Sequence, residues 1–207
     1  MKEMSRLNIL DQLKDKIYLI AGDASPRKFY RFKSKKQLLV YCSKDKKNNL
    51  VNYSQINNYL NSNKIKAPFT IKKNIKKNYI IIEDFGDNSI KKIIQKKKNK
   101  FLYFKKIINE LVKLQKIKPN KTLPNYSKKL FINELDLFYQ WYLPEFFSIE
   151  KIKKIKKKIN LILIKHIKQT LKFNKVLVHR DFHIENLILS KGKICLIDNQ
   201  DAVIGHP

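Results

Sequence analysis

The sequence is poor in the residue types that would define several protein classes. It holds two cysteines, Cys42 and Cys195, which lie far apart and match no metal-ligand or redox spacing. No apolar run approaches the roughly 18 residues that a membrane-spanning helix needs. Acids and amides interrupt the opening "MKEMSRLNILDQLKDK", where a secretory signal would carry its apolar segment. These absences predict a protein of the reducing cytoplasm without a membrane partner.

Glycine is scarce as well, with four in 207 residues, and no Pro-rich or Gly/Ser-rich linker interrupts the chain. Hydrophobic residues nevertheless make up 43% of the sequence, which is enough for a core and excludes a disordered chain. The length suits one large domain or two small lobes. Without a linker, we expect the parts of the chain to be joined tightly.

Acidic residues are few, 17 against 46 basic ones, and the net charge is +29. Such a charge usually indicates a nucleic-acid or anionic membrane partner. However, only four of the basic residues are arginine, and Asn, Ile, Phe and Tyr are abundant too, which is the usage that A/T-rich codons specify. The lysines do not interleave with aromatic residues, as a base-stacking groove requires. We therefore expect no specific nucleic-acid partner, and keep a basic RNA- or DNA-binding protein as an alternative.

Periodicity predicts a β-rich first part. Apolar residues at helical spacing predict a helix over residues 5–17, and three strands separated by turns follow over 17–43, with "GDASP" as the first turn. A short helix is expected at 52–62. Two further strands follow, the second ending at Glu83. The predicted fold class is therefore α+β.

From about residue 87 the apolar pattern becomes helical. Helices are predicted over 101–117, over 133–147 with Pro144 ending or kinking the helix, and over 148–173 with Ser148 as N-cap. The last of these carries a lysine stripe, which we interpret as a solvated face rather than a membrane-binding surface.

A polar loop, "HRDFHIEN", lies between apolar runs near the end of the sequence, and a third apolar run then leads to Asp198. Because a β-hairpin brings its two ends together, Asn186 and Asp198 are expected to face one centre. Carboxylate and amide oxygens suit Mg²⁺, which needs one or two protein ligands when phosphates and water supply the rest. Asp181, five residues before Asn186, is then placed to orient a hydroxyl for attack on a phosphoryl group.

This loop has two alternative interpretations. The first is a polar hairpin tip without chemistry, but a buried carboxylate at Asp198 costs several kcal/mol unless it is paired, and a metal is a natural partner. The second is a zinc pair formed by His179 and His183, four residues apart. That spacing matters only in a helix, whereas the flanking β-branched runs favour a loop, and no third ligand is well placed.

These motifs resemble a known family. "HRDFHIEN" followed by "LID" is similar to the catalytic loop and metal-binding Asp of the protein-kinase-like fold, in its aminoglycoside phosphotransferase and choline kinase family. The stretches "AGDASPRKFYRF", "IIIEDFGD", "NELDLFYQWYL" and "DNQDAVIGHP" more narrowly resemble bacterial cell-wall-recycling kinases that phosphorylate N-acetylmuramate and N-acetylglucosamine. The resemblance implies ATP- and Mg²⁺-dependent phosphorylation of an amino-sugar hydroxyl. It also implies a two-lobed fold, with a β-rich N-lobe over 1–86 and a mainly helical, truncated C-lobe over 87–207.

The resemblance also implies a role for particular residues. Asp181 orients the acceptor hydroxyl, and Asn186 and Asp198 bind Mg²⁺. The nucleotide-binding residues would be the hinge and the phosphate-covering turn, namely Glu83, Asp84, Phe85, Gly22, Asp23, Ala24 and Ser25. The residues around the sugar would be Glu134, Asp136, Trp141 and His183.

The sequence departs from the kinase pattern in two ways. The strand "QLLVYCS" lacks the usual kinase lysine and the helix at 52–62 lacks its glutamate partner, which leaves Arg27, Lys28 and Arg31 as candidate phosphate-binding residues. The chain also ends at Pro207, where the family continues into helices that complete the second lobe. Alternatives are therefore a kinase for an aminoglycoside or amino alcohol, and an inactive nucleotide-binding protein.

Overall fold

The computed structural model describes residues 16–21, 27–43, 46–97, 99–119, 123–170, 173 and 175–206. The chain forms two compact units. The first comprises residues 1–113 and 179–201, and the second comprises 114–178 and 202–207. The helix predicted over 5–17 lies almost wholly outside the described residues, as does the "GDASP" turn. The predicted lobe boundary at residue 86 stays a prediction.

A five-stranded antiparallel sheet forms the centre of the first unit. Its strands are β1 (Ile17–Ala21), β2 (Arg27–Phe32), β3 (Gln37–Cys42), β4 (Thr70–Asn74) and β5 (Tyr79–Glu83). The order across the sheet is β1-β2-β3-β5-β4, and every neighbouring pair is antiparallel. All five strands were predicted, and β5 ends at Glu83 as expected.

Both faces of the sheet carry apolar side chains. Side chains alternate between faces along a strand, so Leu39 and Tyr41 pack in one cluster while Val40 and Cys42 pack in the other. The second cluster includes Leu50 and Tyr53 of helix α1 (Asn48–Ser62), which therefore covers that face. Helix α1 begins four residues before the predicted start, because burial of Leu50 outweighs the low helix propensity of the asparagines around it.

A short helix and a hairpin complete the first unit. Helix α2 (Ile90–Lys96) was not predicted, and its N-cap Ser89 also forms an isolated bridge with Ile188 of strand β7 (Leu187–Ser190). Strand β8 (Lys193–Leu196) pairs with β7. The two turn residues between them, Lys191 and Gly192, have φ of 49° and 74°. Two positive φ values define a type I′ turn, which matches the twist of a tight hairpin.

Helix α3 (Phe101–Gln115) occupies the predicted position and runs across the boundary between the two units. The second unit contains α4 (Lys128–Leu137), a π-helical segment (Phe138–Tyr142), a 3₁₀ turn (Leu143–Glu145) and α5 (Ile149–Thr170). Pro144 lies in the 3₁₀ turn, so the preceding helix ends there, as predicted.

Two short strands also belong to the second unit. Strand β6 (Val176–Val178) was expected, and it pairs antiparallel with β9 (Val203–Gly205), which was not. Across the described ranges, no helix combines the length and the apolar character needed to cross a bilayer.

Candidate active site

A cavity of about 510 Å³ lies in the first unit. Apolar side chains from the sheet and the hairpin line part of it, among them Leu38, Ile82 and Ile188. The segment from Glu83 to Asp87 lines one side, and Asn186 and Asp198 are also part of the lining. The cavity therefore has an apolar portion and a portion rich in charged and amide groups.

The side chains of the predicted hinge are all bound within the protein. Glu83 forms an ion pair of 2.7 Å with Lys66. The carboxylate of Asp84 accepts two hydrogen bonds from Arg31, of 2.6 and 3.0 Å, and a third of 2.8 Å from the backbone N–H of Gly86. Phe85 is buried in an apolar cluster with the β7–β8 hairpin. A ligand at the hinge would consequently meet its backbone groups, as the resemblance implies.

Arg31 fixes this segment to strand β2. Besides binding Asp84, its Nη1 donates a 2.6 Å hydrogen bond to Asp87. That hydrogen bond, and then the interactions with Asp84, raise the pKa of Arg31 despite partial burial, while the same contact with Arg31 lowers the pKa of Asp87. Arg31 thus holds residues 84–87 against β2, because its donors bind the carboxylates of Asp84 and Asp87.

The polar loop places Asp181 and Asn186 in direct contact. The Asn186 Nδ2 donates to Asp181 Oδ2 at 2.8 Å and to the Asp181 backbone oxygen at 3.1 Å. His183 Nε2 lies 3.1 Å from the other carboxylate oxygen, Asp181 Oδ1. The side chains of Asp181 and His183 are both about half exposed. The Asp181 carboxylate is therefore held in one orientation by two neighbours while it stays open to solvent.

The His179 ring contacts the backbone of the polar loop and the backbone of the segment after β8. The Asp181 N–H donates to His179 Nδ1 at 3.3 Å, and Nε2 lies 3.2 Å from the Ile197 carbonyl. Since Nδ1 accepts, the proton is on Nε2 and the ring is neutral. Burial is the largest influence on this ring, and it lowers the pKa of His179. Residues 179–186 form an irregular loop, so His179 and His183 do not have the helical spacing of the zinc alternative.

The hairpin brings Asp198 to the same end as Asn186. Leu187 pairs with Leu196, and the N–H of Ile197 donates to the Asn186 carbonyl at 3.0 Å. Asp198 has a φ of 62°, a left-handed conformation that is uncommon for a residue other than glycine. Its Oδ1 accepts a 2.8 Å hydrogen bond from Arg27 Nη2. The structure therefore brings Asp181, Asn186 and Asp198 into one region of the first unit.

The oxygen atoms in this region fit a magnesium ion. The Asn186 Nδ2 donates to two oxygen atoms of Asp181, so the Asn186 Oδ1 points away from Asp181. Asp198 uses Oδ1 toward Arg27, and Oδ2 is the candidate ligand. In the described parts of the chain, no three His, Cys, Asp or Glu side chains are grouped to hold a metal. A site built from one amide, one carboxylate and phosphates does not require such a group.

The remaining predicted residues lie elsewhere. Gly22, Asp23, Ala24 and Ser25 fall outside the described residues. In the second unit, Glu134 accepts a hydrogen bond from the Tyr126 hydroxyl, Asp136 pairs with Lys156 at 2.6 Å, and Trp141 is 75% exposed in the π-helical segment. Their assignment to a sugar site stays a prediction.

Sequence reasoning missed three residues that shape the cavity or hold its residues, namely Tyr53, Lys66 and Gln200. Gln200 belongs to "DNQDA", one of the motifs that carried the resemblance, so its position in the sequence was a signal. Tyr53 and Lys66 had no comparable signal, because a tyrosine in an amphipathic helix is typical of core packing and lysine is abundant throughout.

Comparison with known proteins identifies the family. Residues 19–207 match the model of the phosphotransferase enzyme family, and the chain belongs to that family. It is 26% identical over 189 residues to the N-acetylmuramate/N-acetylglucosamine kinase of Pseudomonas putida, covering 89% of this chain and 55% of that protein. The enzyme of the same name from Neisseria meningitidis is 34% identical over 98 residues, covering 47% of this chain and 29% of that protein. The chain thus spans at most about half the length of these relatives.

Solved structures share the fold. The aminoglycoside phosphotransferase APH(3'')-Id from Streptomyces rimosus, in complex with ADP and streptomycin, superposes with a TM-score of 0.74 at 13% identity, covering 100% of this chain and 79% of that one. A choline kinase from Streptococcus pneumoniae gives 0.66 at 14% identity, with 100% and 71% covered. These matches confirm the predicted α+β, protein-kinase-like fold.

Proposed function

We propose that this chain carries the nucleotide-binding and phosphoryl-transfer residues of an ATP- and Mg²⁺-dependent small-molecule kinase. The observation that carries the proposal is one cavity, in one compact unit, lined both by the hinge segment and by Asn186 and Asp198. Adenine needs an apolar slot with backbone hydrogen-bonding groups, and phosphates need metal ligands. Both kinds of surface occur in this cavity.

Asp181, Asn186 and Asp198 then have distinct tasks. Asn186 and Asp198 would hold Mg²⁺, which when bound neutralises charge on the nucleotide phosphates. Asp181 would accept the proton of the acceptor hydroxyl and direct its oxygen at the γ-phosphorus, and the bond from that phosphorus to ADP would break as the new bond forms. The hydrogen bond from Asn186 and the contact with His183 fix the carboxylate for this purpose. Positioning of this kind supplies much of the rate enhancement in phosphoryl transfer.

We propose an amino sugar of the N-acetylmuramate or N-acetylglucosamine type as the acceptor. The support is the name shared by the relatives from three bacteria together with the "NELDLFYQWYL" and "QDA" motifs. Glu134, Asp136 and Trp141 belong to the first of these motifs and are the proposed sugar-binding residues, with His183 beside Asp181. An aminoglycoside or an amino alcohol is the alternative acceptor.

The test is transfer of phosphate from ATP to a panel of acceptors: N-acetylmuramate, N-acetylglucosamine, an aminoglycoside and choline. We expect phosphorylation of the amino sugars, and a loss of about 10³-fold or more in kcat for Asp181→Ala. Binding of nucleotide by that variant should change little, because Asp181 acts on the acceptor. Glu150→Ala, at an exposed position in α5, is the control and should retain full activity.

Metal dependence separates the roles of the three residues. Asn186→Ala and Asp198→Ala should each weaken Mg²⁺-dependent nucleotide binding, measured by titration with and without the metal. Activity retained by Asp181→Ala would refute the role given to that residue. Stabilisation by Mg-ATP without transfer to any acceptor would instead indicate a nucleotide-binding protein without kinase activity.

A further inference from the structure

Strand β3 has no lysine and helix α1 has no glutamate, so these elements lack the ion pair of protein kinases, and the sequence left three basic residues as replacements. The structure distinguishes them. Lys28 is exposed, and Arg31 is bound to the carboxylates of Asp84 and Asp87. Arg27 is 4% exposed, and it donates through Nη2 to Asp198 and through Nη1 to Gln200. Only Arg27 of these three binds a proposed metal ligand.

The geometry of Arg27 suits the support of that ligand better than contact with phosphate. Its guanidinium is buried, whereas 35% of the Asp198 side chain is exposed and Asp198 lines the cavity. Arg27 therefore binds one carboxylate oxygen from the protein interior and leaves the other oxygen facing the cavity. A planar guanidinium can hold two acceptors at fixed angles, which the ammonium of lysine cannot.

The backbone at Asp198 needs such support. A left-handed conformation at a residue with a β-carbon costs free energy and persists only where surrounding contacts enforce it. Arg27 binds the side chain of Asp198 and also that of Gln200, two residues further along. Gln200 in turn donates to Asp201 at 2.7 Å, and Arg180 of the catalytic loop donates to the Asp201 carbonyl at 3.2 Å. The segment after β8 is thus held from both ends.

Helix α1 joins the same network without a charge of its own. The Arg27 guanidinium lies 5.4 Å from the centroid of the Tyr53 ring, and Tyr53 is fully buried in α1. One turn further along the helix, Asn57 accepts a 2.8 Å hydrogen bond from Asn199, the residue after Asp198. Burial raises the pKa of Tyr53 to about 12, so its hydroxyl stays neutral beside the Arg27–Asp198 pair.

We propose that Arg27, packed against Tyr53, is the positioning residue that replaces the lysine–glutamate ion pair. It links strand β2 and helix α1 to Asp198 and sets the orientation of the metal-binding oxygen. This inference rests on the proposed function, and it adds that Arg27 acts through Asp198 and not by binding phosphate.

The test compares Arg27→Met and Arg27→Lys with the wild-type chain. The measured quantity is the Mg²⁺ concentration that gives half-maximal binding of a fluorescent N-methylanthraniloyl ATP, alongside binding of that probe in EDTA. For Arg27→Met we expect at least a tenfold higher Mg²⁺ requirement and less than a twofold change in EDTA. Arg27→Lys should lie between wild type and Arg27→Met. Lys33→Met, at an exposed position directly after β2, should match wild type.

A combination with Asp198→Asn separates positioning from general destabilisation. If Arg27 acts through Asp198, the double variant Arg27→Met/Asp198→Asn should have a Mg²⁺ requirement within twofold of that of Asp198→Asn alone. Circular dichroism checks folding, and Arg27→Lys keeps the comparison available if Arg27→Met does not fold. An equal loss of probe binding with and without metal would identify Arg27 as a phosphate ligand and overturn the proposal, as would an unchanged Mg²⁺ requirement.

The proposed function can fail separately. A wild-type chain that shows Mg²⁺-dependent probe binding but no transfer would refute kinase activity and leave the role of Arg27 standing. An active wild-type chain with a normal Mg²⁺ requirement in Arg27→Met would refute the role of Arg27 alone. A wild-type chain that does not bind the probe at any Mg²⁺ concentration would overturn both.

Discussion

At the scale of single residues, the buried ring of His179 is hydrogen-bonded in one protonation state beside the polar loop. His179 accepts from the Asp181 N–H and donates to the Ile197 carbonyl. If Nδ1 took up a proton, it could no longer accept the hydrogen bond from the Asp181 N–H, and two N–H groups would point at each other. The conformation of the loop is therefore coupled to the neutral form of one buried ring.

This coupling predicts a loss of stability at acidic pH. Because burial lowers the pKa of His179 in the folded protein, the unfolded chain takes up a proton first as the pH falls below about 6.5. The stabilisation is complete above that value and is lost as the pH falls toward the folded pKa. We expect the free energy of unfolding, measured by urea denaturation, to fall between pH 7.5 and 5.5.

His179→Gln should be less stable overall but should lose this part of the pH dependence, since glutamine does not titrate. His166→Gln provides the matched control, a substitution of the same kind at an exposed position of α5. An unaltered pH dependence in His179→Gln would rule out His179 as the responsible group.

At the scale of elements, helix caps give a direct comparison. Ser127 precedes α4, and its hydroxyl accepts a 3.1 Å hydrogen bond from the Leu130 N–H. The corresponding contact of Ser148, at the start of α5, is 3.5 Å. A short cap contact satisfies an N–H group that the helix leaves without a partner, whereas a contact at 3.5 Å does so weakly.

Ser127→Ala should therefore lower the free energy of unfolding by about 1 kcal/mol. Ser148→Ala should lower it by less than half as much. Both changes are measured by urea denaturation followed by circular dichroism. Equal effects of the two substitutions would show that cap geometry does not decide the stability of these helices.

The elements also show what the sequence could predict. Strong local patterns were sufficient for β1 to β5 and α3, and for the hairpin that presents Asn186 and Asp198. Strand β9 was missed because its three residues, Val203–Gly205, form a strand only by pairing with β6. The π-helical segment after α4 was missed because its aromatic residues fit a continuous helix equally well.

The candidate site was predictable to a similar extent. Asp181, Asn186 and Asp198 occur in a recognisable local motif. The contact of Arg27 with Asp198 joins residues 171 positions apart, and no local pattern distinguishes it from Lys28 or Arg31. Long-range partners of this kind depend on which strand face a side chain occupies. The face that a side chain occupies is determined by the pairing of all the strands in the sheet.

At the scale of the whole molecule, the net charge of +29 has its own consequence. A lysine-rich surface attracts nucleic acid without reading its sequence, and such binding weakens steeply with salt. We expect the affinity for a random-sequence oligonucleotide to fall by roughly 10³-fold between 50 and 200 mM NaCl. The measurement is fluorescence anisotropy, with several oligonucleotides of unrelated sequence as the comparison. Sequence-dependent binding that persists at 200 mM would support the nucleic-acid alternative.

The first unit is assembled from two separate stretches of chain, residues 1–113 and 179–201. The predicted hinge is encoded in the earlier stretch, and Asp181, Asn186 and Asp198 are all encoded in the later one. A stop codon anywhere between positions 114 and 178 would consequently delete the three candidate phosphoryl-transfer residues together while sparing the hinge. Fragments for expression must therefore be chosen by internal deletion or by co-expression of two pieces, since trimming from either terminus cannot isolate this unit.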